Sequence, residues 1–430
     1  MGDHGLNSKA FSKIQSIVFA LILICAVTSG SLALYLWYNS SQSSETIKIG
    51  ILADLDVTRG QRVMEGALLA AEEINAEGGV LGRHIEIIGE DSDDTASNFD
   101  PSTAILALNR LITFHKVDFV IVSGSEDFVI DVGVGHKKIL LGTVSPSESL
   151  TQRVKDDYDR YKYFFRLGIN ETAFAEMLAD SVVHLRDITG FNKIAYIGLD
   201  IPQIRVIMEI LDSLPETHGF ELVYQGKYVY GTIDFSSYFA AAETAGAEIM
   251  VPVVILQEGI SLVKDWYERQ SPMVLWGMNA QPSWENTEGK VEHTTVFASS
   301  ALALGYPATN KTTRTENSYL AKWGDNPGLQ AVVVYDCIRF LLFDALERAR
   351  TSETDAVIKA LEESEIENSL EENFKFTSSH DHYYQSGSQT AISMMFQWQS
   401  DGEKAIIYPK RIMEATGATY TYPDWPGPWD

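Results

Sequence analysis

The spacing of apolar residues changes period twice between Ile47 and Asp94. Ile47, Ile49 and Ile51, with Gly50 and Leu52 among them, form a nearly continuous apolar run of the kind buried in a parallel sheet. A polar loop from Asp54 to Gly60 leads into Gln61 to Ala76. There Val63, Ala67, Ala71 and Ile74 recur at spacings of three and four and share one helix face. Gly78 and Gly79 suit a left-handed helix end, and His84 to Gly89 returns to a strand pattern. The spacing predicts a strand, a crossover helix and a second, parallel strand.

The alternation then continues. An amphipathic stretch from Ser102 to Phe114 precedes the apolar run Val117 to Val122, a helix is predicted from Phe128 towards His136, and Ile139 to Leu141 is a further strand. Tyr158 to Arg166 is dense in aromatics and predicts a crossing into a second lobe. The pattern restarts there with a helix over Thr172 to Asp187, a strand over Lys193 to Gly198, a helix over Gln203 to Leu214, and strands over Phe220 to Tyr230 and Ile249 to Ile255. Thr294 to Ala301 predicts the return crossing and Leu329 to Arg350 a long helix. The tail Thr419 to Asp430, with Pro423, Pro426 and Pro428, has no period and is expected to wrap the surface.

Residues 1–45 differ in kind. Lys9 and Lys13 precede an apolar run of 22 residues, Ile17 to Tyr38, long enough to span a bilayer core of roughly 30 Å. Tyr35, Trp37 and Tyr38 lie at its far end, and positive residues precede it, which predicts an N-terminus inside and a folded part outside. A signal peptide cut near Ser29, Gly30, Ser31 or Ala33 is the alternative, giving a secreted chain. The run continues past those positions, which favours an uncleaved anchor. Ile24 before Cys25 does not suit a lipoprotein signal.

In open parallel sheets, ligands lie outside the carboxyl ends of the strands. Ser125 and Glu126 follow the Val117 to Val122 strand, and Thr143 and Ser145 follow the next one. Asp200, Gln257 and Asn279 stand at corresponding turns of the second half. These seven residues are the predicted ligand-binding set.

The sequences I-K-I-G-I-L-A-D-L and G-A-L-L-A-A-E-E-I-N-A-E-G-G-V-L-G-R-H-I-E-I-I-G-E-D-S resemble the opening of the type I periplasmic binding proteins. The likeness is greatest to the branch that serves ABC transporters of branched-chain amino acids, amides and urea. The resemblance implies an α/β fold of two doubly wound parallel-sheet lobes joined by a three-stranded hinge, here preceded by one N-terminal transmembrane helix. It implies that Asn373 to Phe376 is a short first-lobe strand and that Ser393 to Trp398 returns to the second lobe. Lobe 1 would then comprise 46–166 and 295–390, and lobe 2 would comprise 167–294 and 391–430 with its tail.

The resemblance also implies that hydroxyls and backbone N–H groups near Ser125, Glu126 and Ser145 hold the carboxylate end of an amino-acid ligand. An acid at Glu126 would repel that carboxylate. Asn279, where the family often has an acid for the ligand's ammonium, supplies no full charge. Both departures favour an uncharged or amide-bearing ligand, unless Glu126 or Asp200 supplies the missing carboxylate. The implied role is a tethered extracellular solute-binding protein for a small polar solute (amino acid, amide or urea-like), with an ABC permease and ATPase as partners. The ligand-binding ectodomain of a sensory system is the alternative.

Composition narrows the field further. A net charge of −26 and a pI near 4.7 argue against nucleic acid as a partner. No G-x-S-x-G elbow, P-loop or H-E-x-x-H occurs, and the nine histidines show no metal-ligand spacing, so neither an enzyme nor a cofactor or metal site is expected. His380-Asp381-His382 reads as an exposed turn. Cys337 lies in an apolar helical pattern, so no disulfide is expected in the folded part. Asn170-Glu171-Thr172 and Asn310-Lys311-Thr312 fit the glycosylation pattern, as does Asn39-Ser40-Ser41.

Overall fold

The computed structural model describes residues 46–93, 101–143, 145–254, 258–279, 291–298, 310–325, 327–369, 372–384 and 394–430. Among them no helix is long and apolar enough to cross a membrane, and the run Ile17 to Tyr38 lies outside them.

The first sheet is built in chain order from β1 (Ile47–Ala53), α1 (Thr58–Ala76), β2 (Ile85–Asp91), α2 (Pro101–Asn109) with a π-helical turn Arg110–Phe114, β3 (Phe119–Ser123), α3 (Glu126–Gly135), β4 (Ile139–Gly142), α4 (Glu148–Asp156), a short α5 (Tyr158–Tyr161) and β5 (Phe164–Arg166). Its strands run in the order β2-β1-β3-β4-β5, all parallel. Ile47, Ile49 and Ile51 of β1 are fully buried, as a strand covered on both faces requires.

The second sheet follows from α6 (Glu171–Thr189), β6 (Lys193–Leu199), α7 (Pro202–His218), β7 (Glu221–Tyr228), α8 (Ser236–Thr244), β8 (Ile249–Val254), α9 (Glu258–Glu268), β9 (Val274–Leu275) and β10 (Met278–Asn279). Its order is β10-β8-β6-β7, with β9 also paired to β8, again all parallel. The helix α7 runs through Pro215 and ends at Gly219, whose φ of +71° supplies the left-handed cap.

The remaining chain divides its packing between the two sheets. After β11 (Thr295–Ala298) come α10 (Asn310–Trp323), α11 (Gly328–Asp336), a π-helical stretch Cys337–Leu342, α12 (Phe343–Ala349) and α13 (Thr354–Glu362). Tyr319, Val332, Tyr335, Ile338 and Leu361 from this stretch join the core of the first sheet. The backbones of α1 and α11 approach so closely that a Cβ at Gly66 would lie 2.3 Å from the Ala331 carbonyl oxygen, which explains the glycine. A hairpin of β12 (Glu365–Ser369) and β13 (Glu372–Lys375) follows, then β14 (Met394–Trp398), β15 (Lys404–Tyr408) and α14 (Lys410–Thr416). β14 pairs antiparallel with both β11 and β15. Met395 and Ile407 belong to the core of the second sheet, as does Trp425.

Two expectations from the sequence change here. The tail does more than lie on the surface: Trp425 is buried, sits edge-on to Trp266 with ring centroids 5.1 Å apart, and donates its indole N–H to the Ser271 carbonyl at 2.9 Å. His380, Asp381 and His382 are also buried rather than exposed. The His380 ring stacks on Phe165 at 3.9 Å, and its Nδ1 lies 2.9 Å from the Phe164 carbonyl. His382 Nδ1 lies 2.7 Å from the Leu167 carbonyl, and burial pushes this imidazole down to about 4. The bend at His380 is buried where an exposed turn is expected, because its neighbours Phe164 and Leu167 lie 216 and 215 residues away in sequence.

Candidate functional site

At the carboxyl end of β3 the chain turns through Gly124, whose φ of +104° is a glycine conformation, and Ser125 stands just before α3 without a side-chain cap bond to it. The helix begins at Glu126, two residues earlier than the spacing predicts. Glu126 is 1% exposed and turns its carboxylate back towards the strand ends. Oε2 accepts from the Gly124 N–H at 2.9 Å, and Oε1 accepts from the Thr143 N–H at 3.0 Å and the Ser145 N–H at 3.3 Å. A Cβ at Gly142 would come within 3.0 Å of Glu126 Cγ, so glycine there makes room for the side chain. The two loops after β3 and β4 are thus joined by one carboxylate.

Ser125, Glu126, Thr143 and Ser145 therefore form one cluster. Ser125 is buried and its carbonyl accepts from the Phe128 and Val129 N–H groups at 3.0 and 3.2 Å. Thr143 Oγ1 donates to the Val122 carbonyl at 3.2 Å, and Ser145 Oγ donates to Asp127 at 2.6 Å. Asp200 makes contacts within the second sheet's half: it pairs with Arg205 at 3.2 Å, and its N–H donates to the Tyr228 carbonyl at 2.9 Å. Asn279 ends β10 beside Val254 in register, with its side chain outside the described residues, and Gln257 lies outside them altogether.

Residues outside the predicted ligand-binding set fix this cluster. Arg166, the last residue of β5, is 1% exposed. Its guanidinium donates to the Ser145 carbonyl at 2.7 Å and the Ser147 carbonyl at 2.5 Å. Arg166 Nε makes an ion pair with Asp381 Oδ1 at 2.9 Å. Asp381 Oδ2 accepts from Thr151 Oγ1 at 3.0 Å and from Asn170 Nδ2 at 2.9 Å. Asn170 Oδ1 in turn caps α6 by accepting from the Ala173 N–H at 2.7 Å. The amide of this sequon asparagine is thus occupied by the fold. The arginine at the end of the Tyr158 to Arg166 run was legible as a residue, but its partner 215 positions away was not.

Glu171 opens α6 and its N–H donates to the Pro146 carbonyl at 3.0 Å. Partial burial, followed by the Glu148 carboxylate, pushes its own carboxyl up to about 7, with Asp127 adding to the rise and Arg166 opposing it.

The second sheet has a counterpart to Glu126. Glu258 opens α9 after β8, as Glu126 opens α3 after β3, and it is 6% exposed. Its Oε1 accepts from the Gly231 N–H at 2.8 Å. Oε2 and the hydroxyl of the neighbouring Tyr228 are both buried without a hydrogen-bond partner among the described residues. Burial, together with the Glu258 carboxylate, pushes the Tyr228 phenol up. A glutamate at the same helix position in both halves was a signal available in the sequence.

Two separately cored parallel α/β sheets, with the chain crossing between them after β5, define a two-lobed binding-protein architecture. The model of the periplasmic binding protein family matches residues 46–403, and the chain belongs to that family. The Leu/Ile/Val-binding protein homolog 7 of Brucella melitensis is 23% identical over 393 residues, covering 86% of this chain and 93% of its own. The structure of an ABC transporter substrate-binding protein from Sphaerobacter thermophilus superposes with a TM-score of 0.67 at 20% identity, over 84% of this chain and 96% of that one. LivJ, the branched-chain amino acid transporter substrate-binding protein of Streptococcus pneumoniae, solved with isoleucine, gives 0.67 at 17% identity over 84% and 98%.

Proposed function

We propose that this chain is the solute-binding component of an ABC transporter of the branched-chain amino acid type. It captures a small polar organic solute between its two lobes and presents the closed form to a permease and its ATPase. The observation that carries this reading is the family match across 46–403 on two parallel-sheet lobes. The turns after β3 and β4 supply one wall of the crevice, and the carboxyl ends of β6, β8 and β10 the other. The chain acts by binding, and closure follows because the solute interacts better with the closed arrangement than with the open one. The apolar run Ile17 to Tyr38 holds the folded part outside the cell.

Thermal unfolding of the full chain against amino acids, short amides, ureas and organic amines tests this reading. A ligand at 100 times its dissociation constant adds about 2.7 kcal/mol and raises the midpoint by a few degrees. Absence of any shift across all four classes would remove solute capture.

A further inference from the structure

The backbone donors at the ends of β3 and β4 already hold an anion, and it is the protein's own. Gly124, Thr143 and Ser145 direct their N–H groups at the Glu126 carboxylate, so a ligand carboxylate arriving at these strand ends finds those three donors taken. The nearby strong donor, Arg166, is committed to the Ser145 and Ser147 carbonyls and to Asp381. Around the same loops stand the first-turn acids of three helices: Asp127 of α3, Glu148 of α4 and Glu171 of α6. Glu171, at the lobe crossing, is raised first by its partial burial and then by the Glu148 and Asp127 carboxylates. At the strand ends of the second lobe, Glu258 Oε2 is a buried acceptor with no donor among the described residues, beside a Tyr228 hydroxyl equally without a partner among them. The net charge of −26 adds a long-range field of the same sign.

Resting on the solute-binding reading above, we propose that the crevice takes an organic cation without a free carboxylate, an ammonium or guanidinium compound. Such a group brings hydrogen-bond donors and positive charge to a site that holds acceptors and negative charge. A zwitterionic amino acid carries the same cation with a carboxylate that meets Glu126 on the N–H groups of Gly124, Thr143 and Ser145.

Calorimetric titration of the full chain with matched pairs tests this: agmatine against arginine, cadaverine against lysine, and isoamylamine against leucine, with leucinamide and urea as further probes. The expected result is that at least one decarboxylated compound binds at least about 100-fold more tightly than its parent amino acid, and that its affinity falls as salt is raised. Glu171→Gln weakens that cation at least about fivefold without lowering the unfolding midpoint. Glu126→Ser, which returns backbone donors to the crevice, narrows the gap between the members of a pair; if it fails to fold, the Glu171→Gln titration still decides. An amino acid binding as tightly as its decarboxylated counterpart, or urea binding where no cation does, overturns the charge assignment while solute capture stands. Binding by none of the eight compounds overturns both.

Discussion

Glu126 and Glu258 stand at the same place in two lobes of like topology, each the first residue of the helix after the third strand of its unit. In the first lobe both carboxylate oxygens are engaged and the two crevice loops are tied together through them. In the second, one oxygen holds Gly231 and the other has no partner among the described residues. A buried acid with its donors present is a structural clamp, whereas one with an empty acceptor keeps free energy available for something that donates. The lobes are alike in fold and differ in how much hydrogen bonding they leave open.

The largest test of that difference lies in what anchors the first lobe's loops. Asp381→Ala strands the buried Arg166 guanidinium and releases Thr151 and Asn170, and should cost about 3–5 kcal/mol in chemical denaturation. A loss below about 1 kcal/mol would show that the loops hold without this pair. A smaller effect separates the two glutamates directly. Glu126→Gln turns an NH2 group towards backbone donors and should cost about 1–3 kcal/mol. Glu258→Gln keeps an acceptor for Gly231 and offers a donor to Tyr228, and should change stability by less than about 0.5 kcal/mol. Equal losses in the two variants would dissolve the contrast.

The smallest effect is the pH dependence set by Glu171. Its carboxyl titrates near 7 in the folded chain against an ordinary value of 4.5, so between those values the folded state binds more protons than the unfolded one. Stability contributed by this residue is therefore present below pH 4.5 and is lost as pH rises to 7. Glu171→Gln should be more stable than the parent by about 1 kcal/mol at pH 8 and no different at pH 4, measured by denaturation at both.

Much of this protein was determined by local sequence. Strands such as Ile47–Ala53 and Ile249–Val254, buried on both faces, are written as apolar runs, and the helices between them as spacings of three and four, because period follows from backbone geometry alone. The same positions placed Ser125, Glu126, Thr143 and Ser145 at strand ends. What only the tertiary structure decided is where polar groups find partners. Asp381 reaches Arg166 across 215 residues, buried His382 meets the Leu167 carbonyl just after β5, and Trp425 reaches the core through Ser271. None of these contacts leaves a period in the chain. Whether Glu126 faces a ligand or clamps two loops depends on the N–H groups of residues 143 and 145, whose positions are set by sheet register and not by their neighbours in sequence.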